Sequence, residues 1–174
     1  VEEIFTKSLN DNFPAFHSRF AADIIDVEEI RGDIIAIVRP EKIRNVIAYL
    51  KSESSLAFDV MMDLFAMDYL KYEPEKRDRY AIVYNLYSMT FHHRLFVKVY
   101  IPEDKSEIDS IHDLYAAANW FEREAWDLFG IVFTGHPNLI RILCHNEFVG
   151  HPMRKDYPSD GYQRLKIAAT SSGI

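Results

Sequence analysis

At 174 residues, with 48% hydrophobic and 27% charged side chains, the chain has the balance of a folded domain rather than a disordered one. It can build one core that hides roughly 70% of the unfolded surface, and it is too short for two. A formal charge of -7, with no run of Lys and Arg longer than a pair, sets long-range electrostatics against nucleic acid and anionic bilayers as direct ligands. No stretch has the roughly 20 apolar residues of a spanning helix, so any membrane association is expected to be indirect. The lone cysteine, Cys144, excludes an internal disulfide and iron-sulfur ligation by this chain alone. The N-terminal VEEIFTKSLN reads as neither a secretory signal nor an Arg-rich transit peptide. With 10 Tyr and 12 Phe, the chain has more aromatic surface than a small core easily hides, and some of it is expected to face a partner.

Ile4, Phe5, Leu9 and Phe13 recur at helical spacing and predict a short amphipathic helix over 2–13, closed by Asn12 and Pro14. Two β-branched runs, 23–30 and 33–38, flank Arg31-Gly32 and read as a hairpin. Pro40 then stands at a first helical position, followed by Ile43, Val46, Ile47 and Leu50 on one helical face. From Ala57 the period becomes two, with Phe58, Val60, Met62 and Leu64 on one side of a strand and Asp59, Met61, Asp63 and Phe65 on the other. The charged segment 72–79 reads as a turn. Residues 80–89 are apolar on both faces, as a central strand requires, and 94–101 alternate, which completes a three-stranded meander. Ser110 with Asp113 resembles a capping box, and Ile111, Leu114, Tyr115, Ala118, Phe121, Ala125 and Leu128 extend one helical face to Gly130. Past Gly130 no period holds. The order predicts an α+β fold: a two-layer domain over 1–130, with helices on one face of a mixed or antiparallel sheet, and an extended irregular arm over 131–174.

The arm contains the phrase F-x-G-H-P twice, at Phe133–Pro137 and Phe148–Pro152, with Cys144 and His145 between the copies. A metal site on His136, Cys144, His145 and His151 is one reading, but only Cys144-His145 is close in sequence, and adjacent residues rarely aim at one ion. The plainer reading makes each Gly-His-Pro a corner: Gly135 and Gly150 permit unusual φ, Pro137 and Pro152 fix the next φ, and His136 and His151 bond nearby backbone. Glu122, Glu124 and Asp127 lack the Glu-x-x-His partner of a di-iron helix. Arg123 stands at the right distance to pair with Asp127 at i, i+4. Packed among Trp120, Phe121, Trp126 and Phe129, these acids look like docking groups. No nucleophile elbow, Walker A or dinucleotide fingerprint is present. The basic-aromatic block Met153–Pro158 has the residue types of interface anchors.

Residues 122–139, EREAWDLFGIVFTGHPNL, resemble the signature of the thirty-kilodalton subunit of respiratory complex I, the proton-pumping NADH:quinone oxidoreductase. Gly150–Pro158, GHPMRKDYP, resembles the second block of the same family. The resemblance covers essentially the whole chain. It implies a non-catalytic structural subunit of the peripheral arm, on the cytoplasmic side of a bacterial inner membrane or the matrix side of a mitochondrial one. It further implies no cofactor in this chain, FMN and iron-sulfur clusters in partner subunits, and docking to the forty-nine-kilodalton quinone-site subunit and neighbouring iron-sulfur subunits. The expected assembly contacts are Glu122, Arg123, Glu124, Asp127, Gly135, His136, Pro137, Arg141, Gly150, His151, Pro152, Arg154, Lys155 and Asp156. Where the family usually reads H-P-D-L-R-R-I-L, this chain has Asn138 and Ile140 and keeps Arg141. The same place in a membrane-bound hydrogenase, a formate hydrogenlyase or an F420- or ferredoxin-linked oxidoreductase is the alternative. A free-standing metalloenzyme on His136, Cys144 and His151 is a second.

Overall fold

The structure, a computed structural model, describes residues 8–72, 78–161 and 163. Residues 8–12 are helical (α1), and the rest of the helix expected over 2–13 lies outside the described residues. Pro14 does not merely end that helix: its fixed φ opens the next one, α2 (Pro14–Phe20). Leu9, Phe13, Phe16 and Phe20 from this pair enter the core.

The hairpin forms as its turn dictates. β1 (Ile24–Ile30) and β2 (Asp33–Val38) pair antiparallel through Arg31 at φ 56° and Gly32 at φ 89°, the two positive φ values of a type I′ turn. A single 3-10 turn, Pro40–Lys42, leads into α3 (Ile43–Ser52), whose Ile43, Val46, Ile47 and Leu50 are all fully buried. β3 (Val60–Asp68), β4 (Tyr80–Tyr87) and β5 (Arg94–Ile101) make the expected antiparallel meander, and β2 adds parallel to the free side of β5. The sheet order is β1-β2-β5-β4-β3, with β4 buried on both faces as its composition requires. A second, two-stranded parallel sheet joins β6 (Glu107–Asp109) to β7 (Val132–Thr134), and α4 (Ala118–Phe129) runs between them. Gly130, at φ 81°, stops α4 in the left-handed region.

Alternation along β5 shows the two-layer plan. Leu95, Val97, Val99 and Ile101 join the core formed with α2, α3 and α4, while Phe96 and Lys98 point to the opposite side of the sheet. The fold is therefore α+β, with helices on one face of a mixed sheet.

Three expectations need correction. A bulge between Met61 and Asp63 inserts an extra residue in β3, so the strict alternation fails there: Met61 and Leu64 are buried and Met62 is exposed. The last helix starts at Ala118 and not near Ser110, because 110–117 form a turn region anchored by the buried Ser110, Ile111 and Tyr115 and held by side chains described below. The segment after Gly130 contributes a strand, β7, which the lost periodicity concealed.

Burial decides cost at chemically matched positions. Ile47→Ala in α3 should lower unfolding free energy by about 2–5 kcal/mol in urea titrations. Ile25→Ala, at a side chain 58% exposed on β1, should change it by less than about 0.5 kcal/mol.

Candidate assembly site: two buried carboxylates on one helix

α4 presents Glu122 and Asp127 to the interior, and both are completely buried. A buried carboxylate survives only if hydrogen bonds replace its water. The two acids meet this requirement differently.

Glu122 faces the segment that precedes the helix. Ser110 Oγ donates to Glu122 Oε2 at 2.5 Å and the Ile111 amide donates to Oε1 at 2.7 Å. Ser110 is thus a ligand of the helix interior and not its N-cap, which corrects the capping-box reading. Ser110 Oγ also lies 3.0 Å from His112 Nδ1, and the Ser110 carbonyl accepts from Arg44. Arg44 is in turn paired with Asp113. Burial pushes the Glu122 carboxyl up to about 7, against the Ser110 and Ile111 bonds that pull it down.

Asp127 organises the segment that follows. Its Oδ2 accepts the amides of Ile142 (3.0 Å), Leu143 (2.8 Å) and Cys144 (2.8 Å), and Arg141 Nη1 donates to Oδ1 at 2.5 Å. Burial would raise this carboxyl, but the three amides and the guanidinium outweigh it and hold it down at about 2. Arg123 does not pair with Asp127, although the i, i+4 spacing suggested it: Arg123 lies under the Trp120 ring and donates to the carbonyls of Ile140 and Arg141. The cation of Asp127 is Arg141, which also donates to the Gly150 carbonyl at 2.9 Å. Glu124 is solvent-exposed.

Both Gly-His-Pro phrases are corners. Gly135 and Gly150 have φ of 83° and 90°. His136 Nε2 lies 3.1 Å from the Asn119 carbonyl while its Nδ1 accepts the Asn138 amide at 3.0 Å. His151 Nδ1 is 2.9 Å from the Asp127 carbonyl, and the ring packs so tightly on Gly130 that a Cβ there would come within 2.7 Å of it. Gly130 is therefore required twice, for its φ and for this contact. Burial raises the Cys144 thiol, with Asp127 adding to the effect, which is the reverse of an activated nucleophile. Among the described residues, no three His, Cys, Asp or Glu side chains converge as a metal site requires.

The second block reaches back to the sheet. Arg79, just before β4, grips Asp68 at the end of β3 with two bonds of 3.1 and 3.0 Å, and also pairs with Glu103 and with Asp156 at 2.8 Å. The Lys155 amide donates to Asp68 at 2.8 Å, and Arg154 joins Asp156 and lies over the Tyr80 ring. Asp68, Arg79 and Glu103 were not singled out by the sequence. Arg79 sits in a charged stretch that reads as a solvated turn, and nothing in its neighbours marks it as buried.

Of the expected contact residues, Glu122 and Asp127 have no exposed side chain and Arg123, His136, Arg141, His151 and Arg154 all bond within this chain. Glu124, Gly135, Pro137, Lys155 and Asp156 are exposed. Gly150 and Pro152 are half-buried in the second corner.

The buried polar groups of α4 thus fix the shape of an irregular segment on an α+β domain. Residues 36–163 match the family described as the 30 Kd subunit of respiratory-chain NADH dehydrogenase, and the chain belongs to that family. It is 46% identical over 144 residues to an NADH-quinone oxidoreductase subunit of Geobacter metallireducens, covering 82% of this chain and 85% of that one. Among solved structures it resembles the trypsin-resistant fragment of Nqo5, with 31% identity and a TM-score of 0.65, over 75% of this chain and 98% of the fragment. It shares its fold with a chain of an archaeal membrane-bound sulfane sulfur reductase at 23% identity and a TM-score of 0.69, over 90% of this chain and 96% of the other.

Two variants separate the acids. Asp127→Asn strands the nearly buried Arg141 and should cost about 3–5 kcal/mol, with trypsin cutting first after Arg141. Glu122 acts oppositely with pH. Between about pH 4.5 and 7 the unfolded chain has released this proton and the folded chain keeps it, so stability is full below that window and falls as pH rises through it. The loss is on the order of 3 kcal/mol. Glu122→Gln should flatten the dependence of the urea midpoint on pH across this window.

Proposed function

We propose that this chain is a non-catalytic structural and assembly subunit in the peripheral arm of a proton-pumping NADH:quinone oxidoreductase. The observation that carries the reading is the agreement of family and geometry. The chain belongs to the 30 Kd subunit family, and within its two signature blocks Glu122, Arg123, Asp127, His136, His151, Arg154 and Asp156 bond inside the fold. In this reading FMN and iron-sulfur clusters reside in other subunits. The chain sits on the cytoplasmic side of the bacterial membrane, or the matrix side in a mitochondrion, and docks on the forty-nine-kilodalton subunit that helps form the quinone site. Glu124, Gly135, Pro137, Lys155 and Asp156 make direct contacts, while Glu122, Asp127, Arg141 and His151 hold the contact surface in shape.

The test is a tagged full-length chain expressed in its native host and extracted in mild detergent. Large subunits should co-purify with iron-sulfur absorbance and NADH-dependent quinone reduction, and the yield should drop with Asp127→Asn. Iron without NADH activity would transfer the chain to a hydrogenase-like relative. Recovery of the chain alone would overturn the reading.

A further inference from the structure

The face of the sheet opposite the helices is not covered by any described element, and it forms an open groove of about 1050 Å³. Its floor is apolar, made by Ile35, Val83 and Phe96 from three adjacent strands. One wall is Phe65 and Met67 of β3, which are 39% and 37% exposed. These side chains are there because β3 and β5 alternate: each core residue on one face leaves its neighbour on the other. A soluble domain rarely leaves so continuous an apolar strip without a use for it.

The charges around the groove are not balanced. Its three carboxylates already have cations: Glu28 pairs with Lys98, Asp33 with Arg94 and Asp68 with Arg79. Three further cations line the groove, Arg31 in the hairpin turn, Lys71 beyond β3 and Lys155 in the second signature block, and all three are exposed. Among the described residues none of the three has an ion pair. A chain of net charge -7 therefore carries, among the described lining residues, a local surplus of positive charge beside this apolar strip.

We propose that this groove is the docking site for a segment of a partner protein that carries apolar side chains on one side and carboxylates along its flank. The apolar side covers Phe65, Met67 and Phe96, and the carboxylates meet Arg31, Lys71 and Lys155. Charge complementarity chooses this occupant. A basic segment would bring no carboxylates to the three cations, and a second copy meeting this groove with its own would set the same cations against each other. The inference rests on the reading above only in that the chain works inside an assembly.

The test places a photoreactive benzoylphenylalanine at Phe65 in the tagged full chain, irradiates cells and identifies the adduct by peptide mass spectrometry. The expected adduct is a segment of another subunit in which Asp or Glu lies next to apolar residues. Lys71→Glu with Lys155→Glu should lower its yield by about tenfold. Reversing the charge of the crosslinked carboxylate should restore the yield, which shows that the double variant had not simply unfolded. An adduct within this chain, to a second copy, to lipid, or none at all would overturn the proposal. The two readings fail separately: the expected adduct in an assembly without NADH activity would sink the proposed function and leave the groove assignment standing.

Discussion

One carboxylate with no exposure to solvent directs the chain after the last helix. Asp127 gathers three successive amides, 142–144, on one oxygen and a guanidinium on the other, which gives a loop without repeating structure the bonds that a helix or strand would have given it. The arrangement depends on α4 ending where it does, because Gly130 turns the chain and leaves room for His151 against the helix end. From this point the links run outward. Arg141 ties Asp127 to the Gly150 carbonyl, and the block that begins at Gly150 closes on Arg79 and Asp68 at the sheet. A side chain on α4 thus fixes a path that ends against β3.

Two acids five residues apart on the same helix reach opposite protonation behaviour. Asp127 has four donors and stays ionised; Glu122 has one amide and one hydroxyl and gains affinity for a proton. Neither side chain has exposed surface, but Glu122 lies deeper and has fewer donors and no cation bonded to it, and both differences favour its protonated form. The charged one fixes geometry strongly and fails in acid. The other loosens toward alkaline pH.

Much of the fold could be read from the residues because local chemistry and final structure agree there. The Arg31-Gly32 turn, the face Ile43–Leu50, the doubly apolar β4 and the Gly130 stop each follow from one short-range rule. The misreadings have specific causes. Met62 belongs to a bulge that no period announces, and Ser110 has the residue type of a cap but serves a carboxylate twelve positions on. The site was legible as a set of residues and less so as a set of partners. Both Gly-His-Pro corners were evident, but that Arg141 and not Arg123 would neutralise Asp127 depends on how the loop folds back, and the role of Arg79 depends on contacts across the whole domain.

The position of β1 at the border of the sheet has a consequence for a chain awaiting assembly. Among the described residues no strand pairs with its outer edge, and an unpaired edge invites a neighbouring copy to add strand upon strand. Asp26, Glu28 and Glu29 crowd that strand with carboxylates, so two copies approaching edge to edge would repel before their backbones could pair. Part of the overall negative charge thereby works against edge-to-edge pairing of identical copies.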